Sequence, residues 1–482
     1  MSLSTALNSA MSGLSAAGRS TSVVSDNLAN ALTEGYYRRT LDLSSAGQTG
    51  GVKIGGVYRN VDPALQKSVR SAEANYAATT VTSDFYNGIS DLVGTVNDPY
   101  SISQRFTDLE SSLIEATSLP DSDARLNDFA MQAEELATSI KEAADGLSLL
   151  RNKAEDSIAS LITGLEQNLN NLNDMNKKIL AAEIQGLDTS GLEDQRDTLI
   201  DKINEVIPTQ IYTRDNNQVA LYTNAGIKLL DGGSIAEFTF NETGTITPYM
   251  TLDNGQLSGL EIDGRAIDTS INGKIGGGSL AAQFYVRDVA AVAAQEDLDT
   301  MASDLILRFQ DPTVDPTLGA TDAGIFTDNG GFFDSADELG ISNRIKINST
   351  IAMSGDAETW RLRDGMNAAT QGNKGDTTLL NAFGDALEKS NTLDSPGLGT
   401  GNFTAYSVAS NLMTSFTQQF TWSEQELTFS SSIYSDIRAR ELEQGVDTDS
   451  ELQTLMMIET IYAANARMIQ AIDEMMDELM RL

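Results

Sequence analysis

The sequence predicts a mainly α-helical, elongated protein with a β-rich inserted domain, its two terminal helices paired as a coiled coil. Three observations lead there. Apolar residues recur at alternating steps of three and four at both ends of the chain, the spacing through which helices pair. A long repeat of the same kind fills residues 122–186. Between 208 and 275 that period gives way to short runs flanking turn-forming residues, the mark of strands. At 482 residues, with 40% hydrophobic content and only 8 prolines, the chain can bury several cores, roughly three domains' worth.

The first helix carries Leu3, Leu7, Ala10, Leu14, Ala17, Thr21, Val24, Leu28 and Ala31 on one seam. It is a weak helix, rich in serine and interrupted by Gly13 and Gly18, each costing about 1 kcal/mol relative to alanine. Alone in water it is marginal and needs a partner. The last segment supplies one, with Leu455, Ile458, Tyr462, Asn465, Ile469, Ile472, Met476 and Leu479 on a bulkier seam. A second row, Ile461, Met468, Met475 and Leu482, widens that stripe. Such a thin seam and such a bulky one match, although either alone would read equally well as an ordinary core helix.

In the middle, Leu126, Phe129, Ala133, Leu136, Ile140, Leu147, Leu150, Leu161, Leu165, Leu172, Met175 and Ile179 predict one long helix, or two divided at Gly146. Residues 193–207, 280–310 and 403–443 read as further helices. The insert is expected to hold two hairpins, one around Asp215-Asn216-Asn217 and one around Asp253-Asn254-Gly255. Residues 311–350 read as loop-rich, with a short strand at 344–347. The expected division is 1–60 with 446–482, 61–207 with 279–445, and an outer 208–278.

Composition excludes several function classes. Lys and Arg total 32 against 69 Asp and Glu, a net charge of −37. That field repels nucleic acid and anionic lipid. With no Cys there is no disulfide, thiol nucleophile or Cys-based zinc site; with no His the commonest general base and transition-metal ligand are gone. No apolar run approaches the ~20 residues of a membrane span, and the N-terminus lacks the basic and apolar regions of a removable signal. Taken alone, that points to the cytoplasm, unless export reads some other signal. Gly276-Gly277-Gly278 and Gly397-Leu398-Gly399-Thr400-Gly401 lack the context of phosphate-binding loops and read as linkers. Glu193, Asp194, Asp197 and Asp201 crowd one helix start, where acids are favoured electrostatically, so a catalytic carboxylate pair is the lesser reading. Catalytic, cofactor and metal residues are expected to be none.

Just past the first helix, Asp26-Asn27-Leu28-Ala29-Asn30, Thr33, Gly35-Tyr36 and Arg38 resemble the N-terminal signature of bacterial flagellar rod, hook and hook-associated proteins. Glu34 stands where that family usually has proline, and Leu32 and Arg39 also depart. Gly445-Val446-Asp447, Glu451-Leu452, residues 462–467 and Ile469 are similar to the C-terminal signature. Residues 192–200, Gly226, residues 229–232 and the stretch 276–298 resemble the members that join hook to filament.

The resemblance implies a structural protein. Its terminal coiled coil would line a central channel, with a long-helix middle domain around it and β-rich domains outside. The implied partners are its own copies in a ring within a helical lattice, the hook protein, a second junction protein, and a cytoplasmic export chaperone. Export would be unfolded, through the flagellar type III apparatus without a cleaved signal, to the extracellular flagellum. The chain is short for the family, which implies a second outer domain that is reduced or missing. Met468, Ile472, Met476 and Leu479 are the expected chaperone-binding stripe, unpaired before assembly. The alternatives are the hook protein itself and a carboxylate-dependent cell-wall glycan hydrolase.

Overall fold

The computed structural model describes residues 3–47, 50–95 and 98–481; Leu482 of the C-terminal stripe lies outside them. The chain is mainly α-helical, with small antiparallel sheets. Its spine is α4, Asp123–Ile184, a single helix of 62 residues that spans about 93 Å at 1.5 Å per residue. The 3/4 repeat is its buried stripe: Leu126, Phe129, Ala133, Leu136, Ile140, Leu165 and Leu172 are all in the core. The break allowed for at Gly146 does not occur. That glycine is a crossing point, where a Cβ would overlap the Leu92 side chain of α2, Pro63–Val93. Gly88 of α2 answers it, because a Cβ there would stand 3.0 Å from Leu150.

The first half of α4 shares one core with α2, α3 (Ile102–Ser118) and the start of a helix running from Ala405 to Glu443. Phe309, Phe326 and Phe383 join that core, their rings packed edge-on or tilted. The second half of α4 shares another core with α5 (Ser190–Val206) and the inserted strands.

The first expected hairpin is present as β3 (Thr209–Thr213) and β4 (Val219–Thr223), paired antiparallel. Asn216 and Asn217 take the left-handed conformation that closes the turn. The order β3-β4-β5-β6 is completed by β5 (Lys228–Asp231) and β6 (Ser234–Ile235). The second expected hairpin is corrected. Asp253-Asn254-Gly255 closes a turn but joins no strands. The pairing is instead between β8 (Leu260–Ile262) and β9 (Arg265–Ile267), across Asp263-Gly264, both at positive φ, with β7 (Phe238–Thr239) on the other edge of β8.

These strands enclose no core of their own. Leu221, Leu230 and Leu260 pack with Ile158, Leu165 and Leu172 of α4 and Ile203 of α5. A boundary drawn at 208 therefore cuts through a shared core. The sheet also reaches the helices of the neighbouring layer through Asn217, whose Nδ2 donates to Glu193 of α5.

After the insert come α6 (Gly278–Tyr285), a π turn at Val286–Ala290, and α7 (Ala291–Gln310), without a break. Arg287 lies in the π turn, fully buried, and pairs with Glu155 of α4 at 2.6 Å and with Asp288 at 2.8 Å. The expected strand near 344–347 is paired antiparallel with Phe326–Asp328; these two are β10 (Phe326–Asp328) and β11 (Ile345–Ile347), with the one-turn α8 (Ile341–Arg344) before the latter. Then follow α9 (Arg361–Asp364), α10 (Thr378–Glu388), the pair β12 (Asn391–Leu393) and β13 (Gly401–Phe403), α11 (Ala405–Glu443) and α12 (Thr448–Arg481). The N-terminal α1 (Leu3–Ala29) packs on α12 and on a hairpin of β1 (Arg39–Ser45) and β2 (Val52–Arg59) that the periodicity did not announce.

Candidate assembly interface

The two ends of the chain meet side by side and antiparallel: Asn27 contacts Glu451, and Gly13 faces Asn465. Small residues make this approach possible. A Cβ at Gly13 would sit 2.8 Å from Asn465 Nδ2, and Ala17 and Val24 form a buried cluster with Ile458, backed by Leu455. Ala10, Ala17 and Val24, seven apart, are buried, as are Ala16 and Val23 on the neighbouring row. On the hairpin side of α1 the Ser12 hydroxyl accepts from Val52 N at 3.1 Å, and Gly51 could carry no side chain without meeting Ser12.

Among the seam residues read from the sequence, Val24, Ile458 and Ile472 are buried. Leu3, Leu7, Leu14, Leu28, Leu455 and Ile469 are half-buried, and Tyr462, Met476 and Leu479 are exposed. The leucines of α1 therefore flank the packed row rather than fill it, because the alanines and Gly13 bring the helix backbone closer. Of the four residues expected to bind a chaperone, Met468, Met476 and Leu479 are exposed, but Ile472 is 3% exposed. The expectation of a wholly unpaired stripe is corrected at that residue. A helix too weak to stand alone is held from two sides, by α12 and by the hairpin.

An apolar groove of about 480 Å³ runs between α1, the hairpin and α12, lined by Ala16, Val23, Leu41, Leu43, Met457 and Ile461. Along α12 beyond it, Met468, Met475, Met476, Leu479 and Met480 remain in solvent.

The signature residues after α1 are tied by one side chain. Asn27 is 1% exposed and makes four hydrogen bonds. Its Nδ2 donates to Arg39 O (2.9 Å) and Glu451 Oε2 (3.2 Å); its Oδ1 accepts from Tyr36 OH and Arg39 N (both 2.9 Å). Arg38 Nε donates to the other oxygen of Glu451 at 2.7 Å. Burial, partly offset by Arg39, pushes the Tyr36 phenol up to about 12, so it remains a donor. Leu28 is half-buried and Ala29 exposed at the end of α1. Asn30 caps back to Asp26 O, and Thr33 donates to Asn30 Oδ1. Gly35 turns the chain at φ +76°, where a Cβ would come 2.7 Å from Thr198 of α5. Glu34, in place of proline, points outward near Arg438, 3.8 Å away.

The acidic run on α5 is fully engaged by arginines from the N-terminal region. Arg39 pairs with Asp194 (2.9 Å). Arg59 reaches Glu193 (3.1 Å), Asp194 (2.8 Å) and Asp197 (2.5 Å), and Arg70 of α2 reaches Asp201 (2.5 Å). Burial raises Asp194 and Asp201 despite these cations, whereas at Glu193 the Thr189 hydroxyl and Arg59 outweigh burial and lower it. No carboxylate of this run stands ready as an acid or base; the cluster fastens the terminal unit to the helical body. Sequence reasoning singled out the acids but missed their partners Arg39, Arg59 and Arg70, and it missed Glu451 as a buried ligand of Asn27 and Arg38. Only the placing of the hairpin brings these together. Among the described residues, no group of acids has the arrangement to hold a metal ion, and no helix is long and apolar enough to cross a membrane.

Comparison with known proteins finds matches at both ends and in the helical middle of the chain. A family model described as the flagellar hook-associated protein FlgK helical domain matches residues 87–311. The flagella basal body rod protein model matches 7–36, and the flagellar basal body rod FlgEFG C-terminal model matches 443–482; together the three cover more than half of the chain. Flagellar hook-associated protein 1 of Bacillus subtilis is 23% identical, over 98% of this chain and 97% of its own length. The proteins of the same name from Escherichia coli and Salmonella typhimurium are 22% and 24% identical over 57% of this chain. The aligned region spans about half the length of those two, 52% and 51%. The solved structure of the flagellar hook junction protein FlgK from Burkholderia pseudomallei aligns over 55% of this chain and 47% of its own, with 14% identity and a TM-score of 0.44.

Proposed function

We propose, since this chain belongs to the flagellar hook-associated protein family, that it is a structural subunit of the hook–filament junction which self-assembles through its paired terminal helices. The family is structural rather than catalytic, and the acids of the α5 run are paired with arginines. Its place is the flagellum, outside the cell, reached by export.

The observation that carries the assembly reading is the division of labour on α12. Ile458 and Ile472 are turned in, while Met468, Met475, Met476 and Leu479 are left in water on the same helix. Soluble monomers seldom expose so continuous an apolar row. In the assembled state α1 and α12 act as a coiled coil, with Leu3, Leu7, Leu14 and Leu28 and the outer α12 residues meeting neighbouring copies. Spiral packing of such subunits makes a ring around a channel, between the hook protein on one side and a second junction protein on the other. The length of α4 supports an elongated subunit, with 208–278 on the outside. Before export, Met468, Met476 and Leu479 are the surface offered to a chaperone.

The test is Ile458→Asp in a strain lacking the native chain. A charge placed in the α1–α12 cluster costs several kcal/mol. The expected outcome is loss of filaments and of swimming, with the variant secreted but not retained on the hook. Normal filaments would overturn the reading.

A further inference from the structure

We infer that the methionine row on the open side of α12, Met457, Met468 and Met475, is an oxidation site that sets whether a free subunit can join the lattice: a peroxide turns these thioethers into sulfoxides, and the oxidised helix no longer packs against its neighbours. The inference rests on the assembly reading above and adds to it a chemical control of the same surface.

Three observations carry it. The first is where the sulfur lies. Six of the 15 methionines are in α12, a helix of 34 residues, and all six are 46–86% exposed. Met301, Met366 and Met413 of the body core are only 3–4% exposed. Met11, Met131 and Met353 are exposed too, but one each on α1, α4 and the loop before α9. The second is alignment. Met457, Ile461, Met468 and Met475 follow steps of four, seven and seven, so they share one face of the helix. The row starts in the wall of the apolar groove, where Met457 and Ile461 stand with Val23 and Leu41. Glu474 and Glu478 flank the row, but hydrogen peroxide is neutral and is not repelled by them. The third is the absence of cysteine. With no thiol to compete, thioethers are the most readily oxidised side chains of a chain that works outside the cell.

In the step itself the sulfur lone pair attacks one oxygen of hydrogen peroxide. The S–O bond forms as the O–O bond breaks, and the proton on the attacked oxygen passes to the departing oxygen, which leaves as water. The sulfur gives up two electrons and the peroxide takes them. A sulfoxide is polar and chiral where the thioether is apolar and adaptable, so it disrupts contacts built on methionine. The pairing of α1 with α12 rests on Ala17, Val24 and Ile458, a cluster without sulfur. Oxidation therefore spoils the outer contact surface and leaves the subunit folded.

For the test, the purified chain is treated with hydrogen peroxide, its oxidised positions are read by peptide mass spectrometry, and it is added to hooks isolated from a strain lacking it. The expected result is oxygen gained at Met457, Met468 and Met475 well before Met301, Met366 and Met413, unchanged circular dichroism, and loss of retention on the hooks. Treatment with both methionine sulfoxide reductases should restore retention. In a chain carrying Met457→Leu, Met468→Leu and Met475→Leu, whatever its untreated retention, peroxide should cause no further loss. If that variant is not retained even untreated, recovery of the oxidised wild type by the reductases decides. Full retention of a chain with sulfoxide at all three positions overturns the inference. So does a leucine variant that peroxide still disables, since the sensitive sulfur then lies elsewhere, and so does loss of retention that the reductases fail to reverse. Failure of the untreated wild-type chain to stay on the hooks would instead sink the assembly reading itself.

Discussion

At the scale of single residues, the chain concentrates its specificity in a few buried polar side chains that bridge several elements. Asn27 is the clearest, since it joins α1, the loop after it, β1 and α12 by one amide. Asn27→Ala leaves Tyr36 OH, Arg39 N and Glu451 without their partner, and each buried orphan costs about 1–3 kcal/mol. The expected outcome is a terminal unit that unfolds well before the helical body, read by hydrogen exchange along α1 and β1. Asp297 shows the opposite economy. It is 1% exposed, and its Oδ1 accepts from Ser395 Oγ and Gly397 N, both at 2.6 Å. Burial drives its pKa from 3.8 up to about 6, with neighbouring Glu296 adding to it against the pull of those two donors. Because the folded value is the higher one, folding takes up a proton between these limits. The stability so gained is complete below about pH 4 and is lost as pH rises through 6, a swing of about 2–3 kcal/mol. Asp297→Asn removes that component, so its melting temperature should gain on the wild type between pH 4 and 7. Parallel curves for the two proteins across that range would contradict the assignment.

At the scale of elements, what could be foreseen depended on whether one segment carried the whole signal. The stripe of α4 is local, so the sequence alone predicted it; so was the 215–217 turn, whose asparagines tolerate positive φ. The β1–β2 hairpin was not foreseen, because its strands lie largely in solvent, bury no clean alternating face and are stabilised by α1, far away in pattern terms. The Asp263-Gly264 turn did carry a hairpin signal of the kind used elsewhere, but it lost to the more polar Asp253-Asn254-Gly255. In the sequence Gly146 reads as a possible helix breaker, because close approach is a property of two helices and shows only with Leu92 beside it. That difference is testable. On helix propensity alone, Gly146→Ala should stabilise by about 1 kcal/mol. The crossing with α2 reverses the sign, with an expected loss of about 1–3 kcal/mol from forced displacement of Leu92. Combining it with Leu92→Ala should give a smaller loss than the two single changes added together, since the atoms that collide are then gone. Urea denaturation of the four proteins measures the coupling.

At the scale of the whole molecule, two large cores share the spine α4, and a third, small cluster pairs the chain ends. The site was legible in part for the same reason as the fold. The seams and the signature residues are contiguous in sequence, whereas the fastening between terminal unit and body joins residues more than a hundred positions apart, such as Arg59 with Asp197 and Arg39 with Asp194. That fastening is polar and mostly buried, with the Arg59 side chain 8% exposed among three carboxylates. Hydrophobic continuity between the small cluster at the ends and the large cores is lacking, since Ala17, Val24 and Ile458 form a cluster of their own. The terminal unit should therefore be separable from the body at this point. Arg59→Ala strips Glu193, Asp194 and Asp197 of their shared cation, and removing one side of a buried pair costs about 3–5 kcal/mol. The loss should fall on one side only. Hydrogen exchange should accelerate through α1, β1 and β2, and proteolysis should open the links near residues 60–62 and 444–447, while α4 and α7 keep their protection. Replacing Asp194 and Asp197 by asparagine in the same chain removes the stranded charges and should return part of the protection. If Arg59→Ala instead lowers protection evenly along α1 and α4, the ends and the body unfold as one unit, and the ion pairs are an ordinary part of a single core rather than a joint between two.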